Sequence, residues 1–155
     1  MGKQDVMAKI LPKGKGVWVP IDHGVTDFPC VGLENIEATI TAIIAGGANV
    51  IVAHKGVVDK YSHLCEGTAT SMIAHLSAST RHGGKNHSNK VLVGDVDEAI
   101  MRGAVGVSVQ ANIGSKKEST MLQRMGHITT EAFLNQVPVL GLSLIHISEP
   151  TRLQQ

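Results

Sequence analysis

Two hydrophobic periods meet in residues 42–56, AIIAGGANVIVAHKG. On the upstream side, Leu33, Ile36, Ile40, Ile43 and Ile44 fall at the spacing of one helical face. Gly46 and Gly47 stop that helix, because a residue without a Cβ takes the left-handed backbone that ends helices. Residues 49–56, NVIVAHKG, then run apolar without alternation and close on His, Lys and Gly. A strand covered on both faces reads this way, since neither face can be polar. A helix, a short glycine link and a doubly buried strand are the parts of a parallel sheet dressed with helices.

The alternation repeats in both directions. Residues 16–24, GVWVPIDHG, read as a buried strand opening into a loop. Residues 72–79, MIAHLSAS, are apolar and end in small polar residues, and residues 90–94, KVLVG, are a short strand or a strand-like lead-in. Asp95 is placed to cap a helix that closes at Gly103. Residues 104–115, AVGVSVQANIGS, form another strand with a polar end, Met121, Leu122, Met125, Ile128, Ala132 and Phe133 mark a long amphipathic helix, and residues 137–142, VPVLGL, begin one more strand. The expected fold class is α/β. No G-x-G-x-x-G follows a strand, which weakens an open dinucleotide-binding sheet. A closed (β/α)8 barrel typically takes about 250 residues, so a barrel fragment is the preferred reading of 155 residues, with an open doubly wound sheet as its rival.

Composition narrows the function. With 43% hydrophobic and 17% charged residues and a formal net charge of +1, the chain has the make-up of a soluble globular protein. Its Lys and Arg are scattered, so no basic stripe for nucleic acid is expected. Apolar runs fall short of the about 18 residues of a membrane span, and the first ten residues lack a signal-peptide core, which makes the cytoplasm the default compartment. Cys30 and Cys65 form no CxxC and are expected to be unpaired.

In a barrel the strand C-terminal ends open into one mouth, so the polar residues there are the candidates. Asp22 could act as a general acid or base once burial raises its pKa, or could simply cap a loop near Gly24. His23 is expected to be a packing or hydrogen-bonding neighbour, because adjacent residues of a strand point opposite ways. Lys55 ends an apolar strand and so is the Schiff-base candidate on position alone, against an anion contact or a solvated loop lysine, which carry more weight. His54 and His75 could join Asp22 around a metal, but no HxH or HxxxH spacing supports it; no metal and no cofactor are expected. Asn112 to Ser115, NIGS, could offer backbone N–H groups to an anion or form a plain turn with Ser115 as N-cap. The glycine-bearing basic loop 79–90 is either a closing loop for an anionic substrate or a solvated one.

Taken in order, VPIDHGV, GLENI, GGANVIVAHKG, IAHLSAST, KVLVGDVDEAIMRGAVGVSVQANIGS and MLQRMGHITTEA resemble the class I aldolases of the DeoC/LacD and DhnA type over about residues 16–142. The likeness is greatest to synthases of an alternative route toward aromatic amino acids, with archaeal-type fructose-bisphosphate aldolase and an autoinducer-processing thiolase as neighbouring branches. The resemblance implies an α/β fold, the truncated N-terminal part (about five strands) of a TIM barrel, whose parent forms a lysine Schiff base with a ketose or ketose-phosphate donor and is a homo-oligomer. It implies the proton-handling role for Asp22 of the DHG motif; His23, Lys55, His75, Asn112 and Ser115 are the substrate-contact candidates by their place at the mouth. In the family a Tyr-Pro-Arg segment follows the fifth strand and the Schiff-base lysine lies on the sixth. Neither is present here, and Lys55 occupies a position where the family has a lysine besides its catalytic one.

Residues 143–152, SLIHISEPTR, resemble the frame translation of a transposase-type sequencing adapter. Residues 1–142 are therefore expected to be a partial barrel domain, and 143–155 a non-native tail. The expectation is a family domain whose parent is an aldolase and which is itself inactive. A non-catalytic sugar-phosphate-binding half barrel is the rival reading.

Overall fold

The computed structural model describes residues 2–26, 30–82 and 88–145. In chain order the elements are α1 (Lys3–Ile10), β1 (Trp18–Pro20), α2 (His23–Thr26), α3 (Ile36–Ala45), β2 (Val50–Ala53), α4 (Lys55–Tyr61), β3 (Ser71–His75), β4 (Ser77–Ala78), β5 (Val91–Leu92), α5 (Val96–Met101), β6 (Gly106–Ile113), α6 (Glu118–Leu134) and β7 (Val139–Ile145). The five apolar runs form one parallel sheet in the order β1-β2-β3-β6-β7, with helices between them. This is the half barrel that the alternation predicts. KVLVG is the exception: its Val91 and Leu92 pair antiparallel with Ser77 and Ala78, so it forms a separate two-stranded ribbon beyond the end of β3.

Strand alternation sorts the core into two. Ile51, Ala53, Met72, Ala74, Val107 and Val109 face the helices and pack with Ile40 of α3, Val58 of α4, Val96 of α5 and Ile128 of α6. Alternate residues Val50, Val52 and Ile73 face the barrel interior, where Val6 and Ile10 of α1 cover them. The Trp18 indole fastens α1 by donating from Nε1 to the Ile10 carbonyl at 3.0 Å. Gly106 begins β6 where the chains crowd, since a Cβ there would stand 2.8 Å from the Pro138 carbonyl oxygen.

The local signals acted as expected at two helices. Asn35 accepts from the Ala38 N–H at 3.1 Å to start α3, and Gly47 leaves it at φ +76°. Asp95 accepts from the Glu98 N–H at 2.8 Å to start α5. Asp95→Ala is expected to lower stability by about 1 kcal/mol, the usual cost of a lost cap. The urea midpoint should fall at unchanged slope; no change in midpoint means water replaces the cap at no cost.

The family-like segment and the sheet do not end together. β7 stays in register with β6 through Ile113 and Ile145, past residue 142. Residues 146–155 of the expected tail, and 83–87 of the basic loop, lie outside the described residues.

Candidate active site

Strand register brings the polar strand ends to one level. Ala53 pairs with Ala74, so His54 and His75, next along each chain, stand side by side; His75 pairs with Ser108 and Ser108 with Leu140. His54 and His75 share the parity of Val52 and Ile73, which face the interior. Asp22 follows β1 at the adjoining position. Asp22, His54, His75 and Ser108 thus come from the ends of β1, β2, β3 and the middle of β6 and form one layer at the barrel mouth.

Within the layer His75 is 2% exposed. Its Nδ1 lies 2.7 Å from Ser108 Oγ, and its Nε2 lies 3.6 Å from Asp22 Oδ2. Burial pushes the His75 imidazole down to about 4, and the charges on His54 and Lys90 add to that while Asp22 opposes it. His54 donates from Nδ1 to the His75 carbonyl at 3.1 Å, which fixes its tautomer, and burial lowers its pKa too. The histidine rings stand 5.5 Å apart and tilted. Both are neutral at pH 7, so the layer pairs one carboxylate with two uncharged imidazoles.

The other predicted residues scatter around this layer. His23 starts α2 and is not part of a strand; its side chain is 57% exposed, with Nδ1 3.9 Å from Asp22 Oδ1. The strand-alternation argument for His23 therefore does not apply, because β1 ends at Pro20. Lys55 starts α4 and reaches across to α5. Its ammonium donates to both Glu98 oxygens at 3.0 and 2.9 Å, and Glu98 also holds Arg102. Lys55 first, then Arg102, keeps the Glu98 carboxyl below its ordinary range. Asn112 is buried on β6, accepting from Gln110 Nε2 at 2.7 Å and donating to the Ser88 carbonyl at 2.8 Å.

Ser115 does not cap α6, whose N-cap is Lys117; its hydroxyl accepts from the Lys117 N–H at 3.2 Å instead. The N–H of Gly114 donates to Glu118 Oε2 at 2.6 Å, so a carboxylate already stands where an anion would dock on NIGS. Among the described residues no three of His, Cys, Asp and Glu stand close enough together to hold a metal ion.

The DeoC/LacD family of aldolases matches residues 16–142. The chain belongs to that family. It is 32% identical over 142 residues to 2-amino-3,7-dideoxy-D-threo-hept-6-ulosonate synthase 1 of Archaeoglobus fulgidus, covering 92% of this chain and 53% of the relative. The synthase of Halobacterium salinarum is 32% identical over 92% of this chain and 52% of its own length. Among solved structures, an archaeal fructose-1,6-bisphosphate aldolase with its catalytic lysine bound to a carbinolamine intermediate superposes with a TM-score of 0.74 at 22% identity, over 88% of this chain and 55% of that one. A Schiff-base-forming fructose-1,6-bisphosphate aldolase gives 0.75 at 23% identity. These structures show the fold, a TIM barrel, of which the present chain is the first five strands. The chain spans about half the length of the curated relatives it matches.

In this aldolase domain Ser108 is the member of the mouth layer that no local sequence pattern singles out as a strand-end residue. Its signal lies in β6: Ser108, Gln110 and Asn112 occupy alternate positions of an otherwise apolar strand, so they share one face. A polar face on a buried strand marks the side turned to a cavity or a hydrogen-bond network.

Proposed function

We propose that the chain supplies the proton-handling wall of a class I aldolase site acting on a ketose or ketose-phosphate donor, in a synthase of the 2-amino-3,7-dideoxy-D-threo-hept-6-ulosonate type that serves aromatic amino acid synthesis. The observation that carries this reading is the Asp22 carboxylate at the barrel mouth, beside two neutral histidines and one buried hydroxyl. Asp22 moves the proton at the substrate carbon or hydroxyl while a lysine imine, on a strand beyond the present sequence, takes up the electrons. His23, at the exposed rim, contacts substrate, and Asn112 and Ser115 shape the far side of the mouth. A phosphorylated substrate fits a cytoplasmic enzyme, and the whole barrel is a homo-oligomer.

The two half-sites explain why the domain alone is inactive in this reading: Asp22 has no imine to work on. The test is the coding sequence past codon 142 and the protein made from it. It should continue with Tyr-Pro-Arg and a later strand lysine, and the full-length product should form a borohydride-stable adduct with a ketose phosphate. A full-length protein that folds and is never labelled defeats the proposal.

A further inference from the structure

Asp22 does not stand alone, and the groups behind it are nearly closed to solvent. Ser108 is fully buried, and His75 Nδ1 lies 2.7 Å from its hydroxyl oxygen. Two arrangements are open to this pair. In one the hydroxyl donates to Nδ1 and the ring proton sits on Nε2; in the other the ring donates from Nδ1 and leaves a bare lone pair on Nε2. Asp22 Oδ2, 3.6 Å from Nε2, decides between them. A carboxylate accepts only, so a bare Nε2 would set lone pair against lone pair, whereas Nε2–H aims its dipole at the charge.

We propose that His75 is a positioning residue for Asp22: with Ser108 on its Nδ1 and Asp22 facing its Nε2, the ring is held as the neutral Nε2–H tautomer, which keeps the Asp22 carboxylate at the mouth without touching substrate. The inference rests on the aldolase reading for what Asp22 does, but not for the tautomer. The 3.6 Å separation is longer than a hydrogen bond, and spacings of this kind tighten when substrate closes the site. The titratable groups that face the ring are Asp22 from the end of β1, His54 from the end of β2 and Lys90 ahead of β5. Ser108 faces it from β6 as an uncharged donor. His54 reinforces the arrangement by bonding the His75 carbonyl, which ties the end of β3 to that of β2. His75 is thereby separated from His23, the exposed histidine at the rim.

The tautomer can be read directly from ¹⁵N-histidine NMR of the 155-residue chain, which needs no turnover. At pH 7 the His75 ring is expected to show a protonated Nε2 and an unprotonated, hydrogen-bonded Nδ1, and to stay neutral until the pH approaches about 4. Ser108→Thr should keep that pattern, and Ser108→Ala should mix the two tautomers. A wild-type ring carrying its proton on Nδ1, or doubly protonated at pH 6, overturns the proposal.

The second measurement uses the full-length enzyme. His75→Leu should lower kcat by about 100-fold, the scale of a misplaced group, with KM within about twofold, and His75→Gln, which keeps a donor toward Asp22, should recover part of the loss. A loss expressed in KM would mean that His75 binds substrate and would also overturn the proposal. An enzyme that is never labelled by a ketose phosphate, yet shows the Nε2–H tautomer, defeats the aldolase reading alone.

Discussion

Incubated with a ketose phosphate and borohydride, the 155-residue chain should gain no mass, and its carbon–carbon bond cleavage should lie about 10⁶-fold below that of the full-length barrel, the scale seen when a covalent nucleophile is removed. A Schiff base needs an uncharged amine facing the substrate carbonyl. Lys55 fails on position: its ammonium is clasped by two Glu98 oxygens of α5 at 3.0 and 2.9 Å, among the helices instead of at the mouth. Lys55→Met should therefore make no difference to the mass added by the treatment. Lys90 is the lysine whose charge reaches both histidines of the site. A reduced adduct on Lys90, or on any other lysine of this chain, would sink the proposal that the Schiff-base lysine lies beyond it.

How far the sequence discloses the site follows from which forces act locally. The strands were legible because a parallel sheet buries both faces, so VIVA in β2 carries no polar residue. The cap at Asp95 was legible because its partner lies three residues away. Contacts across the fold leave no such trace. The burial of Val6 and Ile10 of α1 under the barrel was hidden in a charged segment with only two inward positions, and what fixes it is the sheet interior that they cover. α4 was hidden too, because KGVVDKY holds a glycine and adjacent valines that read as loop or strand until packing against β3 decides. Asp22 and His75 are legible as mouth residues, yet the Ser108 hydroxyl on the other side of the His75 ring depends on a register between β3 and β6 that no local pattern encodes.

The buried histidines should make the domain sensitive to mild acid. His75 is held down to about 4 in the fold, against 6.5 when exposed, chiefly by burial. Between those values the unfolded chain binds a proton that the folded chain refuses, so stability rises with pH across the interval. The contribution is complete above about pH 6.5 and disappears as the pH falls toward 4; at about 1.4 kcal/mol per unit it amounts to about 3 kcal/mol. His54, lowered by burial as well, acts in the same direction. Glu98 is lowered from 4.5, so the stability it lends is lost only below that value. Carboxylate and histidine effects therefore separate, and any slope between pH 6.5 and 5 belongs to the imidazoles. Urea midpoints at pH 7, 6 and 5 measure it. His75→Gln should flatten much of the slope while keeping a donor toward Asp22. A midpoint constant from pH 7 to 5 would mean that the ring takes up a proton inside the fold, and then the neutral tautomer facing Asp22 is not the state that supports the site.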